Sequence, residues 1–192
     1  MKSFRQLMIT AVAVLAAGVG ATTAQAAVAE AEALTTAIHH AGAVGLTSGA
    51  VQISSSGPVP FIRSRFVFNG GEGGLGGDRQ ATSFPFVLSD DGTFVPNIPS
   101  PPGRQLPQEK YLGLIVDSAS NDVEDEYFGP TPPAIEQLGT VVTISLTSSE
   151  AATASTSCHV DQLLTAALAR KHLGARRDRA AQALRRCEAR HR

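Results

Sequence analysis

Tyr111-Leu112-Gly113-Leu114-Ile115-Val116 is apolar at nearly every position, and acidic residues follow it at Asp117, Asp122, Glu124, Asp125 and Glu126. A strand with one wet face alternates apolar and polar residues. A run that is apolar throughout fits a strand covered on both faces. This stretch therefore predicts a central strand, and the sequence around it supplies partners. Ala50-Val51-Gln52-Ile53-Ser54 alternates, and so do Val142, Ile144 and Leu146 with Thr143, Ser145 and Thr147 between and after them. Arg65-Phe66-Val67-Phe68 and Phe84-Pro85-Phe86-Val87-Leu88 set aromatic rings two apart, the spacing of one strand face. Pro85 has no N–H for a ladder, so its strand belongs at an edge or enters pairing late.

Turn residues separate these segments: Ser56-Gly57-Pro58, Asp90-Asp91-Gly92 and Gly139-Thr140. No amphipathic helical period runs between residues 49 and 146, which argues against parallel βαβ units. Beyond the first 26 residues every Phe and Tyr lies between Phe61 and Phe128, so the main core belongs to that stretch. The expected fold is mainly β: an Ig-like β-sandwich over residues 49–146, followed by a C-terminal α-helical hairpin.

Gly49-Ala50-Val51, Gly57-Pro58-Val59 and Val67-Phe68 resemble the opening of carboxypeptidase regulatory-like (prealbumin-like, Cna-B-related) domains. Asp91-Gly92-Thr93-Phe94, with Asn97-Ile98-Pro99 and Gly103, is similar to the D-G-x-F…L-P-x-G segment of that family. Residues 111–116 and 139–146 would supply the later strands. The resemblance spans residues 49–146 and implies a small Ig-like sandwich with no catalysis of its own. Some relatives form a Lys–Asn isopeptide bond. The first strand here has no Lys, so that feature does not carry over.

The N-terminus has the three parts of a secretory signal peptide: Lys2 and Arg5, an apolar run from Leu7 to Val19, and Ala24-Gln25-Ala26 as a cleavage site. The run is shorter than the ~20 residues a bilayer-spanning helix needs. Removal of residues 1–26 from 192 leaves 166, enough for one domain with extensions. The expected localisation is exported, periplasmic or extracellular, with no transmembrane segment in the mature chain. Residues 27–48, rich in Ala, Thr and Gly, read as a mobile leader.

Charge is unevenly placed. Residues 27–157 carry five Lys/Arg against fourteen Asp/Glu, and residues 158–192 carry nine against three. An acidic body thus joins a basic tail through a linker at 147–157. Within the tail, Val160, Leu163, Leu164, Ala167 and Leu168 recur at helical spacing, and a second helix is expected from Arg176 to Arg190. Cys158 and Cys187 are the two cysteines of the chain. One unbroken helix would hold them ~43 Å apart. A fold-back at Gly174 returns them to one end, where a disulfide can form. Arg176, Arg177, Arg179, Arg185 and Arg186 then belong to the basic side of a stapled hairpin at 158–192.

Sites of chemistry are few. Residues 49–146 contain no His, no Cys and a single Lys, Lys110, which removes Ser-His-Asp, Cys-His and His/Cys zinc chemistry from the expected core. Gly70 to Gly77 lacks the Lys and following helix of a phosphate loop and reads as a hairpin loop. Asp117, Asp122, Glu124 and Asp125 form the best metal candidate, for calcium, although their spacing matches no EF-hand. No catalytic residue and no organic cofactor is indicated. The expected function is a secreted or periplasmic, non-enzymatic binding or structural module. The alternatives are a binder of anionic envelope surfaces through the basic helices and, third, a carboxylate-based hydrolase. The partner is an unidentified protein or envelope polymer, the oligomeric state is open, and nucleic acid is not expected.

Overall fold

The computed structural model describes residues 30–44, 50–72, 81–96, 99, 103, 105–147 and 158–190. The expected export signal, the expected linker beyond Thr147, most of the Gly-rich stretch and Pro101-Pro102 lie outside the described residues.

The apolar stretch forms β4 (Glu109–Asp117), inside the sheet as expected. It pairs antiparallel with β3 (Thr82–Phe94) on one side and β5 (Val123–Gly129) on the other. β1 (Ala50–Ser55) adds to the far side of β3, and β6 (Val142–Thr147) adds to β1. The order is β5-β4-β3-β1-β6, with the two-residue β2 (Val59–Pro60) beside the start of β3. Pro85 lies in the middle strand and not at an edge. Its strand nevertheless enters pairing late on one side, because contact with β1 begins at Phe86. Asp90-Asp91-Gly92 does not reverse the chain. β3 continues through it to Phe94, with a shifted register: four residues between Ser89 and Phe94 stand against one, Lys110, between Tyr111 and Glu109.

Both faces of this sheet are covered by helices. Phe84, Phe86 and Leu88 of β3, Leu112, Leu114 and Val116 of β4, Val51 and Ile53 of β1, and Val142, Ile144 and Leu146 of β6 share one core. That core is closed by α1 (30–43), α3 (His159–Arg170) and α4 (Gly174–Arg190). The opposite face of β3 and β4 offers Val87 and Ile115 to α2 (Phe61–Phe68) and to a 3-10 turn at Ile135–Gln137. The mainly-β sandwich is therefore corrected. The described strands make one sheet, and helices occupy the position of a second one.

Two segments read differently in the sequence. Arg65-Phe66-Val67-Phe68 is not a strand but the end of α2, which begins directly after Pro60. Ser64 and Phe68 are its buried residues, one turn apart, with Phe61 packed beside them. The ring of Phe68 fits over Gly113: a β-carbon there would stand 2.7 Å from Cε1 of Phe68. Ser64 meets Ser83 of β3 through a buried hydroxyl pair at 2.9 Å.

The second is the supposed mobile leader. Residues 30–43 are helical, and Ala33, Leu34, Ala37, Ile38 and Ala41 are at most 4 % exposed. These positions recur at helical spacing, and three of the five, Ala33, Ala37 and Ala41, need only a methyl group's depth. A helix lined by alanine lies close against a sheet and contributes area without large side chains. Ile38→Val removes one buried methylene and is expected to cost about 1 kcal/mol in a denaturant titration. An unchanged midpoint would restore the mobile reading.

The tail folds as expected. α3 and α4 run as a hairpin, with Cys158 and Cys187 bonded at a Cα separation of 5.8 Å. The turn between them is made by His172, at φ 55°, and not by Gly174, which opens α4. The amides of Leu173 and His172 donate to the carbonyls of Leu168 and Ala169, closing α3 with a Schellman pair. No described helix is long and apolar enough to cross a membrane.

Candidate functional site

The surface that answers best to the charge pattern is the outer side of the hairpin, and its position depends on one arginine turned inward. Arg176, in the first turn of α4, reaches back to Glu30 at the start of α1. Its Nε lies 3.1 Å from both Glu30 carboxylate oxygens, and Nη2 donates to Oε1 as well. Nη1 reaches the carbonyl of Thr140 at 3.4 Å and Nη2 the hydroxyl of Ser55 at 3.4 Å. The two side chains are only 11 % and 9 % exposed. Gly57, at φ 84°, lies directly beneath the guanidinium, where a β-carbon would stand 2.8 Å from Cζ. Sequence reasoning placed Arg176 among the surface cations. That assignment is corrected: this guanidinium is consumed inside the molecule and fixes α4 to α1 and to the β1–β2 corner.

The remaining four arginines stay with the hairpin's outer side. Arg177, Arg185 and Arg186 are exposed, and Arg179 is partly so. Among the described residues the Arg177 side chain meets its neighbour Asp178, at 3.1 Å and in solvent, and Arg179 donates to the carbonyl of Ala175. Arg170 and Lys171 are exposed at the hairpin's tip. Asp161, near the base of α3, has its carboxyl pushed up by burial and, second, by the charge of Glu32.

The proposed calcium residues do not converge. Asp117 Oδ1 accepts from the amides of Ala119 and Ser120, closing the β4–β5 turn. Asp122 follows that turn and gives its carbonyl to the amide of Asp117. The pairing of β5 with β4 shifts register at Glu124, which stands unpaired between Val123 and Asp125. Asp125 is held by Arg65 of α2 at 3.1 Å, and Glu124 is exposed. Glu126 lies 2.9 Å from Nε2 of His40 on α1, in a contact that lacks hydrogen-bond alignment. Among the described residues, no three His, Cys, Asp or Glu side chains form a group able to hold a metal. The acidic strand instead holds α2 through Asp125 and touches α1 through Glu126.

Two concavities lie among the described residues away from this clasp. A cleft of about 730 Å³ on the α2 side is lined by Phe66, Tyr127, Pro132 and Pro133 among others, with Phe66 50 % exposed. A groove of about 520 Å³ follows the edge of β6, between Thr143, Ile144 and Ser145 on one side and Leu163, Ala167, Arg170 and Lys171 on the other. The sequence carried no direct signal for this groove, because it needs β6 to be terminal in the sheet and α3 to lie alongside. Comparison of the chain with protein families, with curated proteins and with solved structures gave no match in any of the three.

Proposed function

We propose that the protein is an exported, non-catalytic binding module that meets an anionic envelope surface through the outer side of its helical hairpin. The observation that carries this reading is the division of labour among the arginines. Arg176 is turned inward and locks the hairpin in place, while Arg177, Arg185 and Arg186 remain exposed on the locked element. Cations on a rigid scaffold lose little conformational freedom on contact and raise local counter-ion attraction. Export is supported by the N-terminal signal pattern and by the intramolecular disulfide, a bond that persists in oxidising compartments.

The test is retention of the purified protein on isolated envelope fractions across a salt series. Screening shortens from ~10 Å at about 0.1 M salt to ~3 Å at about 1 M, so retention is expected to fall steeply over that range. The triple variant Arg177→Gln, Arg185→Gln, Arg186→Gln is expected to lose most retention at low salt while keeping its unfolding midpoint. Equal retention of the variant and the wild type, or retention insensitive to salt, would refute the proposal.

A further inference from the structure

The two edges of the sheet are unlike. β5 carries Glu124, Asp125 and Glu126, and charges of this kind guard an edge against strand addition. β6, Val142-Thr143-Ile144-Ser145-Leu146-Thr147, has no charge, no proline and no bulge in its pairing with β1. Among the described residues it is the last strand of the sheet, so alternate N–H and C=O groups between Val142 and Leu146 point away from β1. The groove along this edge has apolar walls at Leu163 and Ala167. At its tip stand Arg170 and Lys171, both exposed and without an ion-pair partner among the described residues.

The orientation of the groove is settled by the clasp. Arg176 reaches the carbonyl of Thr140, two residues before β6 begins. The α3–α4 turn, with Arg170 and Lys171 just ahead of it, therefore lies at the start of β6. A strand added antiparallel to β6 ends where β6 begins, so its C-terminus arrives at these two cations.

We propose that the β6–α3 groove binds the C-terminal segment of a protein or peptide, as an added antiparallel strand whose terminal carboxylate meets Arg170 and Lys171. Main-chain hydrogen bonds to β6 hold the segment, small apolar side chains face Leu163 and Ala167, and the two cations select a free carboxylate. This site is separate from the outer arginine face and does not depend on it.

The probe is a fluorescein-labelled octapeptide of alternating threonine and valine, with either a free C-terminal carboxylate or an amide. The carboxylate form is expected to bind about tenfold more tightly, the factor one charge-assisted hydrogen bond supplies. Arg170→Gln with Lys171→Gln is expected to bring the two forms level without moving the unfolding midpoint, since both side chains are exposed. Two further peptides, N-methylated at odd or at even positions, are expected to differ: one set loses binding because its amides face β6, and the other keeps it. In the variant carrying Arg177→Gln, Arg185→Gln and Arg186→Gln, peptide binding is expected to persist, so failure of the envelope reading and failure of this one are separable. Equal binding of carboxylate and amide by the wild type would overturn the proposal, as would equal loss in both N-methyl sets. A dimer whose β6 amides are protected from exchange without peptide would also overturn it, by assigning the edge to a second copy.

Discussion

Arg176→Ala is expected to lower stability by about 3–5 kcal/mol, whereas Arg177→Ala, one residue along, is expected to change it by less than about 1 kcal/mol. Both remove one arginine from the first turns of the same helix. They differ in what is left behind. Arg177 stands half in solvent beside Asp178, and its loss leaves a carboxylate that water solvates. Loss of Arg176 leaves Glu30, 9 % exposed, charged and without its partner, among Leu34, Ile53 and Leu164. The large cost thus belongs to the stranded carboxylate more than to the worth of the pair. A second variant separates these contributions. Glu30→Leu combined with Arg176→Met replaces both charges by apolar groups and is expected to recover most of the loss. Urea titrations of the four proteins provide the measurement. If Arg176→Ala and Arg177→Ala shift the midpoint alike, the clasp is not the anchor described above.

Removal of the disulfide, as Cys158→Ser with Cys187→Ser, is expected to cost about 3–4 kcal/mol, the chain-entropy value for a loop of this length. The bond links residues 29 apart and closes the open end of the hairpin, opposite the Arg176 clasp. Val160, Leu164 and Leu168 of α3 and Ala180 and Ala183 of α4 remain packed in the main core without it. The variant is therefore expected to fold and to show its loss mainly as faster amide exchange in α4, whose buried side chains are alanines and grip weakly. In the wild-type protein, neither cysteine is expected to react with an alkylating agent until a reductant is added. An unchanged midpoint in the double variant would show that core packing alone holds the hairpin.

These two anchors differ in how far they could be read in advance. The disulfide and the hairpin follow from local rules: a stripe at helical spacing, a stop signal near residue 174, and the short reach of an S–S bond. β1, β3 and β6 followed from period-two patterns, and the doubly covered strand at 111–116 from its lack of alternation, whereas β5 was not anticipated. α2 was misread because an eight-residue segment with aromatics two apart satisfies a strand pattern and a helical one equally. The choice was made by the groove over Gly113, which accepts Phe68, and by the pairing of Arg65 with Asp125. α1 was missed for a different reason. Its buried positions are mostly alanines, and weighing large side chains alone makes such a helix look too poor to belong to a core. Ala33, Leu34, Ala37, Ile38 and Ala41 carried the period all along.

The candidate site was legible as a composition and not as a place. By itself the amino-acid order determined an acidic body, a basic tail, the tail's hairpin and staple, and the strand faces, because each depends on residues close in sequence. Tertiary structure alone decided which arginine was withdrawn from the surface, since Glu30 and Arg176 stand 146 residues apart and nothing local pairs them. It likewise decided that β6 is the last of the described strands in the sheet, that β5 bears the guarding charges, and that α3 lies beside β6. Strand order and helix docking are set by how whole faces bury against one another, and no window of the chain contains both faces.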